Sequence, residues 1–139
     1  AALEQLLHFR LRRVGVRVSL LPSGGAELLE GLIQAEPEDL VVLFSFSKVS
    51  REGHVLLNHS RAAGYRTLAF VGRTCLPAEE RADISLFAYR GREKEYHSMA
   101  APAALLDALA VAVAERLGFE GTNRLQALHQ MKKDYFPDG

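Results

Sequence analysis

Residues 40–52 read LVVLFSFSKVSRE and decide the fold class of this chain. The stretch opens with five consecutive apolar residues and then changes to a segment that contains Ser45, Ser47 and Ser50. A continuous apolar run followed by turn residues and a helical pattern is typical of a buried parallel strand that leads through a loop into a helix. We therefore predict a strand at residues 40–44, in the middle of a parallel sheet, and a helix that begins near Ser50.

The three serines stand where open α/β sheets bind their ligands, at the carboxyl end of a strand. The helix that follows adds unpaired backbone N–H groups and the positive end of its dipole, which favour an anion such as phosphate. The same residues also fit an ordinary turn in which Ser50 is a helix N-cap. The three hydroxyls within six positions favour a site. A location of this strand at the rim of the sheet would contradict that interpretation.

Hydrophobic spacing and the positions of glycine and proline predict the other elements. Helices are expected at residues 1–14, 26–35, 50–63, 98–117 and 123–135, a helical turn at 78–82, and further strands at 16–21, 67–71 and 84–88. Strands that alternate with helices predict right-handed crossovers and an α/β fold, with a parallel sheet between helical layers. We expect one domain over residues 1–139, in which residues 119–139 form a C-terminal helix and tail that can reach across a partner.

Composition excludes several classes of function. The chain has 139 residues, of which 48% are hydrophobic, and 17 basic residues balance 17 acidic ones. A balanced charge disfavours a nucleic-acid groove, which needs excess cations. A single cysteine, Cys75, excludes an internal disulfide and agrees with a cytoplasmic location. His54 and His59 lack the helical spacing of a metal pair, so we expect no metal and no cofactor.

Several motifs, in their order, resemble the sugar isomerase (SIS) domain. Residues 39–52 are similar to its motif of an aspartate, an apolar strand and a serine-rich loop. Residues 63–70 resemble the alanine-glycine turn before its next strand, and residues 76–84 resemble its proline-containing segment before a further strand. Ser98 followed by an alanine- and leucine-rich helix also matches. Within SIS proteins, residues 11–15 make the chain most similar to the sensor half of RpiR-type transcriptional regulators.

This resemblance implies a flavodoxin-like SIS fold that binds a sugar phosphate, forms a homodimer and reaches DNA only through a separate domain. Ser45, Ser47 and Ser50 would contact the phosphate, and Ser98 would line the sugar side. Lys48 replaces the glycine of the family motif and could supply a positive charge to the anion. Glu52 could accept a hydrogen bond from a sugar hydroxyl. The family's first strand would precede residue 1, so we expect the natural chain to be longer at its N-terminus.

Two other functions fit the same resemblance. The chain could be a small phosphosugar isomerase in which Glu93 or His97 transfers a proton between adjacent carbons. It could also be a dimerisation module without a ligand, because the predicted helix at residues 98–117 is apolar nearly all round and needs cover on more than one side.

Four arginines, Arg10, Arg12, Arg13 and Arg17, form a basic cluster near the start of the chain. They fit a solvated helix face, or a contact with another domain or with DNA.

Overall fold

A computed structural model describes residues 2–92 and 96–137 and divides them into two compact units. One unit consists of residues 21–102, and the other consists of residues 1–20 and 103–139. The helices within the described ranges are α1 (Ala2–Arg13), α2 (Gly25–Leu32), α3 (Arg51–Ala63), α4 (Ala100–Leu117) and α5 (Phe119–Tyr135), and a short 3-10 helix covers Ala78–Glu80.

The sheet of the described residues has three parallel strands in the order β1-β2-β3: β1 (Leu40–Ser45), β2 (Arg66–Val71) and β3 (Ile84–Phe87). Phe44 lies opposite Phe70, and Phe70 lies opposite Leu86. Parallel neighbours require a crossover, and α3 supplies the one between β1 and β2. The predicted α/β fold class, with a parallel sheet and helices between its strands, is confirmed.

The predicted position of residues 40–44 in the middle of the sheet is wrong. Within the described residues β1 pairs only with β2 and is an edge strand, and Leu40 is 54% exposed. β2 is the central strand, and Phe70 within it is completely buried. The apolar run LVVLF correctly predicted a strand but not its burial, because Leu40 is exposed and the other residues of β1 are only partly buried. The sequence pattern of one strand does not specify its neighbours.

The strand predicted at residues 16–21 is also wrong, because this segment has no regular secondary structure. Its backbone hydrogen bond runs from the N–H of Val16 to the carbonyl of Leu11, which closes the end of α1. Leu20 and Leu21 remain exposed. A strand is stable only when its backbone groups pair with a neighbour, and among the described residues no strand lies beside this segment.

One core cluster of the strand-containing unit joins α2, α3 and the residues that flank α3. Its buried members are Leu28, Leu32, Val49, Leu56, Leu57 and Tyr65. The spacing of these residues in α2 and α3 follows the helical period, so each helix turns one apolar stripe inward. α3 ends at Gly64, whose φ of 85° is a left-handed conformation that glycine adopts without strain. α3 is therefore held firmly, and its N-terminus is fixed relative to β1.

The second unit contains α1, most of α4 and α5. Leu3 and Leu7 of α1 are buried, as is Leu106 of α4, and an ion pair joins Arg10 to Asp107 at 3.2 Å. One face of α4 is nevertheless open, since Val111 is 57% exposed.

None of the described helices combines the length and the hydropathy that a membrane crossing requires.

Candidate functional site

The candidate site is the loop that connects β1 to α3, residues 45–50, called the serine loop below. β1 ends at Ser45, and α3 begins at Arg51, so the loop lies at the carboxyl end of a parallel strand. This is the edge at which open α/β sheets bind ligands. Among the described residues β1 is an edge strand, and by the criterion given with the sequence this position counts against the serine loop as a site. The case for a site depends instead on the groups that gather there.

The serine loop lies directly against the end of β2. At Gly72, which follows β2, an added Cβ atom would overlap the carbonyl oxygen of Phe46. Any side chain at this position would therefore push the loop away, because the atom it meets is backbone and cannot swing aside. Aromatic packing joins the loop to the strands, since the ring of Phe46 lies 6.2 Å from that of Phe44, which in turn stacks on Phe70 with centroids 4.9 Å apart. Because Gly72 has no side chain, the segment after β1 can approach the end of β2 closely.

Ser50 is the N-cap of α3. Its hydroxyl oxygen accepts a hydrogen bond of 3.1 Å from the backbone N–H of Gly53, and its backbone is extended, as N-cap residues require. The structure thus shows the ordinary helix cap that was one of the two interpretations of this residue. The cap uses the oxygen as an acceptor, so the hydroxyl hydrogen remains able to bond an anion.

The hydroxyl groups of Ser45 and Ser47 have opposite surroundings. The Ser45 oxygen is buried and has no hydrogen-bond partner within the described residues, whereas Ser47 is exposed, as is Lys48 beside it. An unpartnered buried hydroxyl costs about 1–3 kcal/mol, so such groups are few in folded proteins and are often found at functional positions. Ser47 and Lys48 are directly accessible to a ligand in this conformation, and Ser45 would need a small rearrangement of the loop.

Backbone N–H groups at the start of α3 add to the site. In the described ranges, no hydrogen bond accounts for the N–H groups of Lys48, Arg51 and Glu52. The first turn of a helix leaves such donors pointing outward along its axis, where the helix dipole is positive. This arrangement can bind a phosphate or carboxylate without any charged side chain.

A cation that the sequence analysis missed lies beside the serine loop. The guanidinium carbon of Arg90 stands 4.5 Å from the ring centroid of Phe46, a cation–π contact. Arg90 follows the end of β3, in a stretch for which the sequence predicts no regular element. A signal existed in the sequence, because a basic residue three positions beyond a parallel strand stands at the same sheet edge as the serines.

Ser98 is joined to the same region through Arg90. The backbone N–H of Ser98 donates to the carbonyl of Arg90 at 3.1 Å, and its hydroxyl accepts from the N–H of Ala100 at 3.2 Å. The hydroxyl therefore helps to begin α4. His97 is exposed, and Glu93 lies outside the described residues.

Glu52 is half-buried on the first turn of α3, where it faces the turn that precedes α2. Its carboxylate oxygen lies 3.3 Å from the position that a Cβ atom at Gly24 would take. Gly24 is the N-cap of α2 and has no side chain to fill this space. The Glu52 carboxylate thus stands beside the serine loop as an acceptor.

His54 and His59, which were considered as metal ligands, each contact a different side chain. The Nδ1 atom of His59 lies 3.2 Å from the Tyr65 hydroxyl, and the Nε2 atom of His54 lies 3.6 Å from Glu80. Cys75 is a free, exposed thiol. Among the residues that the structure describes, no three histidine, cysteine or acidic side chains are grouped as a metal ion would require.

Comparison with known proteins places the fold. Neither a protein-family model nor a curated protein matches the chain. Its structure is similar to the sugar isomerase domain of an RpiR transcription factor from Sphaerobacter thermophilus, with a TM-score of 0.81 and 23% identity over 93% of this chain and 72% of that one. A hypothetical protein of known structure is similar at a TM-score of 0.62, with 15% identity over 91% of this chain and 70% of the other. The chain therefore has the fold of a sugar isomerase domain.

Proposed function

We propose that this chain is a sensor domain that binds a sugar phosphate at the serine loop, and that it forms the effector-binding part of an RpiR-type transcriptional regulator. The observation that carries the proposal is the meeting of unpaired helix N–H groups, serine hydroxyls and the Arg90 cation at one edge of the sheet. The similarity of fold to a domain of a transcription factor supports it.

In this proposal the phosphate is held mainly by neutral donors. The N–H groups at the start of α3 and the hydroxyls of Ser45, Ser47 and Ser50 donate hydrogen bonds to its oxygens. Lys48 adds a mobile positive charge, and Arg90 adds a planar guanidinium that is already positioned on Phe46. Charge-assisted hydrogen bonds of this kind contribute about 1.5–3 kcal/mol each, which suits reversible sensing.

The sugar would be recognised by the polar groups around the loop. Glu52 can accept a hydrogen bond from a sugar hydroxyl, and Ser98 would lie on the sugar side of the phosphate. Glu52 is half-buried next to Gly24, and this packing limits the directions in which its carboxylate can point. A carboxylate acceptor distinguishes among sugars by which hydroxyl it reaches, because a sugar that leaves this polar group unpaired binds less tightly.

A regulator must convert binding into a change elsewhere. In this proposal the sensor forms a homodimer, and DNA is bound by a domain outside this chain. A ligand shifts such an equilibrium only by the difference between its affinities for the two states. The serine loop is suited to this role because it connects an edge strand to a firmly packed helix.

Binding rather than catalysis is the function that the described residues favour. An isomerase needs a base held within hydrogen-bond distance of the substrate carbon, and one candidate, His97, is an exposed side chain. Apart from the Glu52 carboxylate, the groups that converge at the serine loop are hydrogen-bond donors and cations, which bind an anion without removing a proton.

The test is a thermal-shift and calorimetric screen of the protein against sugar phosphates and the same sugars without phosphate. A ligand present at 100 times its dissociation constant stabilises the native state by about 2.7 kcal/mol. We expect a phosphorylated sugar, and not its unphosphorylated counterpart, to raise the melting temperature.

Two substitutions connect the effect to the site. Ser47→Ala and Arg90→Ala should each weaken binding, whereas Ser85→Ala, at an exposed serine near the start of β3 and away from the carboxyl ends of the strands, should not. The absence of any stabilisation across the whole set of sugar phosphates would refute the proposed function.

A further inference from the structure

A second cationic site lies in the helical unit. A concavity of about 410 Å³ is lined by residues of α1, of the segment that follows it and of α5: His8, Arg12, Gly15, Val16, Arg17, Val18, Ser19 and Arg124. Three arginines and one histidine thus line a single space, and none of the described lining residues is acidic. Its volume lies within the range of small-molecule sites.

The structure separates the basic cluster near the start of the chain into two groups. Arg10 forms an ion pair with Asp107 at 3.2 Å, and the Arg13 guanidinium stands 5.3 Å from the ring centroid of Phe9. Arg12 and Arg17 instead line the concavity. Arg12 and Arg17 are both exposed, so a ligand can reach them from solvent.

Arg124 is a member of the site that the sequence did not connect with the others, since more than 100 positions separate it from Arg17. Its aliphatic stem occupies the space that a side chain at Gly15 would need. Gly15 also has a φ of 90°, which residues with a side chain rarely adopt. Both features of Gly15 allow Arg124 to lie close over the end of α1, beside Arg12 and Arg17.

The three arginines of the concavity lack a negatively charged partner among the described residues. Among the described residues, none of Arg12, Arg17 and Arg124 forms an ion pair. Like charges that face one space repel one another, and an anion bound between them removes that repulsion. The N–H groups of Arg17, Val18 and Ser19, which have no hydrogen-bond acceptor in the described ranges, supply further donors at the same place.

We propose that this concavity binds a small compound that carries at least two negatively charged phosphate oxygens. Guanidinium groups form paired hydrogen bonds to phosphate, and three of them match a diphosphate better than a single carboxylate. A long polyanion is disfavoured, because the chain has no excess of positive charge and the arginines converge rather than form a stripe. This site does not depend on the serine loop, which belongs to the other unit.

Inorganic pyrophosphate is the probe for the test. We expect it to bind saturably in a nuclear magnetic resonance titration, with shifts concentrated at the amides of residues 15–19 and at the side-chain NεH group of Arg124. Sodium chloride at equal ionic strength should not reproduce the shifts, because screening alone is not localised. The position of the shifts distinguishes this site from any binding at the serine loop.

Variants from the same basic cluster provide the matched comparison. Arg12→Ala, Arg17→Ala and Arg124→Ala should each weaken pyrophosphate binding about tenfold or more, the loss expected for one charge-assisted hydrogen bond. Arg13→Ala removes the same charge outside the concavity and should change the affinity less than about twofold. Non-saturable shifts, or an equal loss in all four variants, would show only a general attraction between charges and would overturn the proposal.

Discussion

Ser50 and Ser47 lie three residues apart, but their hydroxyl groups do different things. The Ser50 oxygen accepts the N–H of Gly53 and so has a structural role at the start of α3, whereas Ser47 is exposed and has no such contact in the described residues. The sequence identifies both serines as candidates, but it cannot tell which of them caps the helix and which is open to a ligand, because that difference depends on the geometry of the loop. Replacement of Ser50 should therefore lower stability, whereas replacement of Ser47 should weaken ligand binding without lowering stability.

The first prediction concerns the N-cap. Ser50→Ala should lower the free energy of unfolding by about 1 kcal/mol, because the Gly53 N–H loses its acceptor. Ser50→Asp should retain most of the stability, since a carboxylate caps equally well. Ser47→Ala is the control and should change stability by less than about 0.5 kcal/mol in urea denaturation. Equal losses for Ser50→Ala and Ser47→Ala would contradict the assignment of the cap.

The second prediction concerns Tyr65. Burial raises the pKa of its hydroxyl above the ordinary value of 10.0, and the hydroxyl donates a hydrogen bond of 2.8 Å to the Leu56 carbonyl. Because the folded pKa is the higher one, the stabilising contribution is complete below about pH 10 and is lost as the pH rises through the folded pKa. We expect the free energy of unfolding to fall above that pH.

The comparison for Tyr65 is made with urea denaturation across the alkaline range. Tyr65→Phe should be less stable at neutral pH, since the hydrogen bond is missing, and should lose less stability above pH 10. Tyr135→Phe removes a hydroxyl from a side chain that is 78% exposed and should follow the parent protein. Parallel curves for the parent and Tyr65→Phe would show that Tyr65 does not titrate differently in the folded state.

At the scale of elements, the site depends on the segments that follow three strands and not on one strand alone. β2 is central and almost wholly buried, and β1 and β3 lie on either side of it. The serine loop follows β1, Gly72 follows β2, and Arg90 follows β3. Each of these features is local in sequence, but only the parallel alignment of the strands places them at one edge.

The third prediction tests the contact between the ends of β1 and β2. Gly72→Ala should lower the free energy of unfolding by roughly 1–3 kcal/mol and weaken sugar-phosphate binding, because the new Cβ atom displaces the backbone at Phe46. Calorimetry and urea denaturation measure the two effects.

Gly24→Ala is a matched control for Gly72→Ala. Its Cβ atom would meet only the end of the flexible Glu52 side chain, at 3.3 Å, and its backbone is extended. We expect a small effect on stability. An unchanged stability in Gly72→Ala would mean that the loop has room to move.

At the scale of the whole molecule, the chain consists of a strand-containing unit and a helical unit. Their exposed surfaces retain large apolar side chains, among them Val111 of α4 and Ile33 after α2. The sequence analysis expected α4 to be covered on more than one side, and the 57% exposure of Val111 leaves a face that a second copy of the chain would cover. The homodimer remains part of the proposed function.

The fourth prediction tests that dimer. Val111→Glu should weaken self-association at least tenfold, since a charge at the centre of an apolar interface must lose its hydration. Ile33→Glu, at a side chain that is 70% exposed in the other unit, is the control and should leave the association constant unchanged. Sedimentation equilibrium measures both. A parent protein that remains monomeric at high concentration would contradict the dimer itself.

The sequence by itself determined the fold class, three of the four predicted strands, the helices to within a few residues and the loop that follows β1. These features depend on signals carried by neighbouring residues, such as the apolar run at residues 40–44, the cap at Ser50 and the helix end at Gly64. Only the tertiary structure decided that β1 is an edge strand, that residues 16–21 form no strand, and that Arg90 lies on Phe46 and Arg124 over Gly15. The physical reason is that strand pairing and side-chain contacts join residues distant in the chain, whose energies no local pattern contains.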